Sequence, residues 1–163
     1  PMAQAIGGVD AATAATIVSI IAVGNTAGRV LWGWISDRIG RYPALIAMTL
    51  IVAGSSYALS ALTNSGSIVI FILFTMLIAM CYGGSMGVYP ALTSDAFGLK
   101  HNGVNYGIMF IGFALGGYLG PIIANSMFDS TGSYASPLLA VGVMSTAALV
   151  IVCVLAGMNR RKK

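Results

Sequence analysis

Five long apolar segments, joined by short polar loops, limit what this chain can fold into. They cover about residues 12–35, 43–62, 67–92, 104–127 and 136–157. A helix needs roughly 20 apolar residues to cross a bilayer, and each segment reaches that length. A water-soluble domain carries about 25% charged residues, whereas only 7% of these 163 residues are charged. The sequence therefore predicts an all-α integral membrane protein with five transmembrane helices, whose outer surface contacts the lipid bilayer.

The basic residues indicate how the segments are oriented. If the first span ends in the cytoplasm and the chain then alternates, the predicted outer loops "TNSGS" (63–67) and "FDSTGSYAS" (128–136) contain no Lys or Arg. Basic residues are enriched in cytoplasmic loops, so this asymmetry predicts an outside N-terminus and a cytoplasmic C-terminus. We expect a multi-pass protein of the plasma (inner) membrane. The cytoplasmic side receives Arg38, Arg41, Lys100 and the tail 160–163.

The net charge of +4 is therefore explained by a membrane surface, and no nucleic-acid partner is predicted. The sequence also contains no metal-ligand cluster, no nucleophile constellation and no phosphate-binding loop. His101 lies in a predicted cytoplasmic loop, where a solvated side chain is the simplest interpretation. We predict a protein that is not an enzyme and has neither a metal nor a cofactor.

The fourth segment, "NYGIMFIGFALGGYLGP", carries two different faces. Small residues repeat every four positions on one face, and such a stripe lets another membrane helix approach closely. These helix-packing residues are Gly112, Gly116 and Gly120. Larger rings follow helical spacing on the other face, at Tyr106, Phe110 and Phe113. In the third segment, Pro90 is predicted to kink or end the helix because it lacks a backbone donor.

The loop after the first span, in "GRVLWGWISDRIGR" (28–41), carries the pattern G-x-x-x-D-R-x-G-R. The pattern consists of Gly33, Asp37, Arg38, Gly40 and Arg41. Its charges lie at a helix end, and Gly40 permits a tight turn. We interpret it as a gating motif, in which ion pairs hold helix bundles together in one state and break in another. The alternative is a plain basic loop with a tight turn.

This motif resembles the signature of the major facilitator superfamily. Its context, "AATIVSIIAVGNTAGRVLWGWISDRIGR" followed by "YPALTSDAFGLKHNGVNYGIMFIGFALGGYLGP", is similar to the oxalate/formate antiporter family in its C-terminal half. The resemblance covers essentially the whole chain. It implies helices 8 to 12 of a twelve-helix transporter, one helix short of a six-helix half. It also implies a missing N-terminal half as partner, with a substrate site between the halves and transport by alternating access.

Arg29 needs an explanation beyond topology. It lies eight residues before Asp37, roughly 12 Å deeper along the helix. An arginine at the centre of a membrane helix costs about 2.5–3.5 kcal/mol on insertion scales, and no acidic residue of the predicted spans lies deep enough to pair with it. A guanidinium matches the two oxygens of a carboxylate. The resemblance implies that Arg29 is the substrate-binding arginine, and Asn25, one turn away, offers a neutral donor. The alternative is a structural arginine that snorkels or bonds carbonyl groups.

The chain departs from the family pattern in its predicted helix 11. Oxalate-type members resemble one another in a second basic residue there, and Phe113 occupies the matching position. One cation suits a monocarboxylate better than a dicarboxylate, so oxalate itself becomes a doubtful substrate. Tyr82 and Phe110 match aromatic positions of the family's cavity, which implies a small site with apolar walls. Packing against a neighbouring helix or lipid is the alternative for these rings.

These observations lead to one expected function and two alternatives. The expected function is secondary active transport of a small organic anion, by exchange or by proton symport. A facilitator of another substrate, including a neutral one, would share the same fold. A membrane half-protein that does not transport, or an assembly partner, would also fit an incomplete set of helices.

Overall fold

The computed structural model describes residue 8, residues 10–63 and residues 67–160. Five helices follow one another, and no strand occurs in these ranges. They are α1 (Ala11–Ile39), α2 (Arg41–Leu62), α3 (Ile68–Phe97), α4 (Asn102–Thr131) and α5 (Ala135–Arg160). All five are long and apolar enough to cross a membrane, which confirms the predicted all-α class. The orientation in the bilayer stays a prediction.

Local interactions determine where α1 begins and ends. The backbone N–H of Thr13 donates to Asp10 Oδ1 at 3.2 Å and caps the helix. The Thr13 side chain, together with this N–H, lowers the pKa of the Asp10 carboxyl below its ordinary value. At the other end, Gly40 has a φ of 95°, a conformation that glycine adopts without strain. Its N–H bonds Ser36 O, and α2 starts at the next residue. The turn of the loop motif is therefore a single residue long.

The helices α1 and α3 run parallel and touch backbone to backbone. A Cβ built at Gly83 would overlap the carbonyl oxygen of Asn25, and one built at Gly28 would overlap the backbone of Met80. A Cβ at Gly87 would lie 2.8 Å from the carbonyl oxygen of Arg29. Glycine is therefore required on both sides of this contact, which is the small-residue packing typical of membrane helices.

On its other side α3 packs against α2, and α5 packs antiparallel to α2. Trp32 of α1, Met48 of α2 and Val88 of α3 meet in the main buried cluster. Two polar contacts join α2 to α5: the Tyr57 and Thr146 hydroxyls are 3.1 Å apart, and Ser60 Oγ donates to a carbonyl of α5 at 2.8 Å. These contacts make α1, α2, α3 and α5 one packed layer.

By contrast, α4 has no buried residue in the described structure. No atom lies within 4 Å of a Cβ built at any glycine of its predicted packing stripe, and docking of a further helix there stays a prediction. The stripe is Gly112, Gly116 and Gly120. The helix α3 continues beyond Pro90 to Phe97, so this proline does not end the helix.

Candidate functional site

The predicted substrate arginine, Arg29, lies exposed on α1. Its neighbour Asn25 connects it to α3 through two hydrogen bonds. Arg29 Nη2 donates to Asn25 Oδ1 at 3.4 Å. Asn25 Nδ2 in turn donates to the carbonyl oxygen of Ala79 at 3.1 Å. The amide of Asn25 thus accepts from the guanidinium and donates to the backbone of the neighbouring helix. Among the described residues no carboxylate pairs with Arg29, so its charge is free to meet an external anion.

A stripe of α3 separates this arginine from the aromatic residues of α4. Ala79, Gly83 and Met86 follow helical spacing on one face of α3. Asn25 contacts the stripe from α1 at Ala79 and Gly83, whereas Met86 lines a pocket shared with α4. This face of α3 therefore lies between its contacts with α1 and with α4, and we call the region between those two helices the α1–α4 groove. Arg29 lies on its α1 wall.

On the α4 side of the groove, aromatic rings of α3 and α4 form a continuous array. The centroids of Tyr82 and Phe113 are 5.4 Å apart, and Phe113 stacks on Phe110 at 5.0 Å. Tyr106 extends the array, with its centroid 5.4 Å from that of Phe110. Such distances are typical of favourable aromatic pairs. The structure thus brings together the three predicted cavity rings, Tyr82, Phe110 and Phe113.

A pocket of about 340 Å³ lies between α3 and α4 beside this array. Methionine and aromatic side chains line it almost entirely. Its residues are Met86, Tyr89, Tyr106, Met109, Phe110, Gly112 and Phe113. No hydrogen bond or ring contact joins Arg29 to the array in the part of the chain that the structure describes. The predicted substrate residues therefore form two walls rather than one cluster, and their binding role stays a prediction.

The loop motif is organised around Arg41. Its Nη1 lies 2.5 Å from Asp37 Oδ1 and donates to Ser36 Oγ at 2.7 Å, and its Nε bonds Asp95 Oδ2 at 3.3 Å. Arg41 is 22% exposed, whereas the carboxylate side chains of Asp37 and Asp95 are 65% and 61% exposed. Arg41 therefore ties the α1–α2 turn to the last turn of α3.

The other motif residues have different surroundings. Arg38 turns away from the ion pairs, and its guanidinium carbon lies 4.1 Å from the centre of the Trp34 ring, a cation–π geometry. No atom lies within 4 Å of a Cβ built at Gly33. Sequence reasoning missed Ser36 and Asp95. Asp95 is 54 positions from Arg41, and a carboxylate near a span end was the one available signal.

Comparison with known proteins identifies the family. A sequence profile of the Major Facilitator Superfamily matches residues 1–163. The chain belongs to this superfamily. Three similar proteins are the uncharacterized MFS-type transporter YhjX of Escherichia coli strain K12, the oxalate:formate antiporter of Oxalobacter formigenes and monocarboxylate transporter 13 of Rattus norvegicus.

The identities to these relatives are moderate. YhjX is 34% identical over 116 residues, which are 71% of this chain and 28% of YhjX. The oxalate:formate antiporter is 32% identical over 116 residues, 67% of this chain and 27% of the antiporter. Monocarboxylate transporter 13 is 28% identical over 148 residues, 86% of this chain and 32% of the relative. This facilitator chain thus spans less than a third of their length.

The match confirms the predicted superfamily and the multi-pass membrane character. Major facilitators are transporters and not enzymes, so the prediction of a protein without catalytic chemistry is also confirmed.

The Arg41 cluster allows a test of its ion pairs. We expect Asp95→Asn to destabilise the solubilised transporter by about 0.2–1 kcal/mol, because it removes one of two carboxylates from Arg41. Thermal unfolding in low and high salt measures this, and the difference from wild type should shrink in high salt. Asp129→Asn, near the C-terminal end of α4 and outside the described ion pairs, is the matched control. If Asp95→Asn and Asp129→Asn change the stability equally, the ion pair between Asp95 and Arg41 does not stabilise the protein.

Proposed function

We propose that the complete transporter containing this chain carries a small organic carboxylate across the plasma membrane by secondary active transport. In this proposal the five helices combine with an N-terminal half, and the substrate binds between the halves at the α1–α4 groove. The two halves rock around the site, so that it opens to each side in turn. The carboxylate exchanges for another anion or enters with a proton.

The observation that carries this proposal is the state of Arg29. Its guanidinium is exposed about two thirds of the way along an apolar helix, and its described polar partner is the neutral amide of Asn25. A free positive charge inside the membrane is costly and marks substrate or ion pathways. A carboxylate offers two oxygens that match the donors of a guanidinium, so binding of an anion offsets that cost.

The relatives support the same substrate class. One is named an oxalate:formate antiporter and another a monocarboxylate transporter, so both names state carboxylates. Among the described residues of the groove Arg29 is the one that is basic, and the rings Tyr82, Phe110 and Phe113 lie on its α4 side. A single cation balances one carboxylate, and we therefore favour monocarboxylates over oxalate.

The test is uptake by the complete transporter in proteoliposomes against formate, lactate, pyruvate, oxalate and a neutral sugar. We expect uptake of the monocarboxylates and little of oxalate or sugar. Phe113→Lys adds a cation to the ring wall and should gain oxalate uptake by about tenfold or more, since charge-assisted hydrogen bonds contribute about 1.5–3 kcal/mol. Phe97→Lys, which places the same charge at the exposed end of α3, serves as control.

Two results would contradict the proposal. Uptake of the sugar with no carboxylate uptake would favour a facilitator of neutral solutes. Absence of all uptake in a folded, complete protein would favour a membrane protein that does not transport. If Phe113→Lys leaves oxalate excluded while pyruvate uptake persists, the argument from a single cation is wrong.

A further inference from the structure

We infer that the pocket between α3 and α4 binds the apolar body of the substrate, so that the carried anion is a monocarboxylate with an aromatic or branched hydrocarbon group. This inference rests on the proposed function and names its substrate class more closely. It assigns a specificity role to Met86, Met109 and Gly112, which sequence reasoning had not placed in the site.

The size and lining of the pocket support this class. Its volume of about 340 Å³ lies within the range of roughly 300–1,000 Å³ that is typical of small-molecule sites. Formate, which lacks a hydrocarbon body, would leave such a space unfilled. Methionine side chains adapt their shape and contact aromatic rings favourably, so Met86 and Met109 suit a ring or a branched chain.

The chemistry of the lining excludes a second carboxylate. None of the seven residues that line the pocket is charged. A carboxylate placed there would lose its hydration without gaining a cation, which is strongly unfavourable. The end of the substrate that enters the pocket is therefore uncharged.

The position of the pocket relative to Arg29 supports a single ligand that reaches both. Met86 lines the pocket, and its neighbour Gly87 packs against the backbone of Arg29. Gly83, one turn earlier on α3, packs against Asn25. Arg29, Asn25 and the pocket therefore all contact the same turn of α3, whose rise is about 5.4 Å. In this inference the carboxylate binds Arg29 and the hydrocarbon group extends into the pocket.

Gly112 provides a direct test because it lines the pocket and no atom lies within 4 Å of its Cβ position. Larger side chains there fill the pocket without meeting the backbone. The experiment measures uptake of pyruvate, phenylpyruvate and 4-methyl-2-oxopentanoate by the complete transporter with Ala, Val or Leu at position 112. Gly107→Leu, on the same helix but outside both the pocket and the predicted packing stripe, is the matched control.

We expect wild type to prefer the two bulky acids to pyruvate. The KM for phenylpyruvate should rise stepwise from Ala to Leu and reach about tenfold or more in Gly112→Leu, since small changes of apolar volume alter specificity by about 10–200-fold. The KM for pyruvate should change less than about threefold, and Gly107→Leu should resemble wild type. The graded series keeps the test valid if the leucine variant does not fold.

Three results would overturn the inference. If wild type carries pyruvate but shows no preference for the bulky acids, the pocket does not bind the substrate, although the proposed carboxylate function stands. If every Gly112 variant loses all substrates equally, the pocket receives another helix of the complete protein. If no carboxylate is carried at all, the proposed function fails first and this inference fails with it.

Discussion

Replacing Arg29 with glutamine is expected to lower carboxylate uptake by about 10- to 100-fold. Among the described residues the Arg29 guanidinium has no carboxylate partner, and hydrogen bonds to charged groups contribute about 1.5–3 kcal/mol each. Glutamine keeps a polar side chain of similar length but removes the charge. Initial uptake rates over a range of substrate concentrations separate a rise in KM from a fall in transport rate. We expect the loss chiefly in KM.

Two further variants define what Arg29 does. Arg29→Lys keeps the charge but loses the planar pair of donors, so its uptake should lie between those of wild type and Arg29→Gln. Lys100→Gln removes one cation from the loop between α3 and α4 and should behave as wild type. If Arg29→Gln folds normally and carries carboxylates with unchanged KM, Arg29 is a structural residue.

Replacing Gly83 with valine is expected to prevent correct packing of α1 on α3. The new Cβ would overlap the carbonyl oxygen of Asn25, and a backbone atom cannot move aside as a flexible side chain can. Overpacking a core costs about 1–3 kcal/mol, and occasionally more. We expect a loss at the upper end of this range, seen as a lower unfolding temperature and aggregation during size-exclusion chromatography.

The matched control is Gly54→Val in α2, where no atom lies within 4 Å of a built Cβ. It makes the same substitution in the interior of a neighbouring membrane helix and should leave the unfolding temperature nearly unchanged. Gly28→Val, on the α1 side of the contact, should repeat the defect of Gly83→Val. A stable, monodisperse Gly83→Val protein would show that the two helices are not in backbone contact.

The helices could be predicted from the sequence because hydropathy and length act locally. All five predicted segments became helices, and the differences lie at their ends. The third helix continues past Pro90 to Phe97, since a proline removes one donor of the helix without forcing the chain to turn. The first helix reaches Ile39 because Gly40 provides the turn.

The partners of the glycines and charges could not be predicted in the same way. A stripe of small residues indicates that a helix can approach, but not which helix does. The sequence drew attention to the stripe on α4, whereas the close contact in the described structure joins α1 to α3 through Gly28 and Gly83. The role of Asp95 likewise depends on Arg41, which is distant in sequence and which the fold brings within ion-pair distance. By contrast, the Arg29–Asn25 pair follows from a spacing of four residues on one helix.

The direct backbone contact between α1 and α3 has a mechanical consequence. Two helices that meet through side chains can slide a little while rotamers adjust, but Gly28 and Gly83 leave no side chain between the backbones to absorb such a shift. We therefore expect α1 and α3 to move as one rigid unit. Arg29 then keeps a fixed position along the axis of α3 relative to its neighbours on that helix. In the described structure α4 has no buried residue, so it is the helix least held by the other four. We expect the α1–α4 groove to widen and narrow as α4 tilts relative to the rigid pair of α1 and α3.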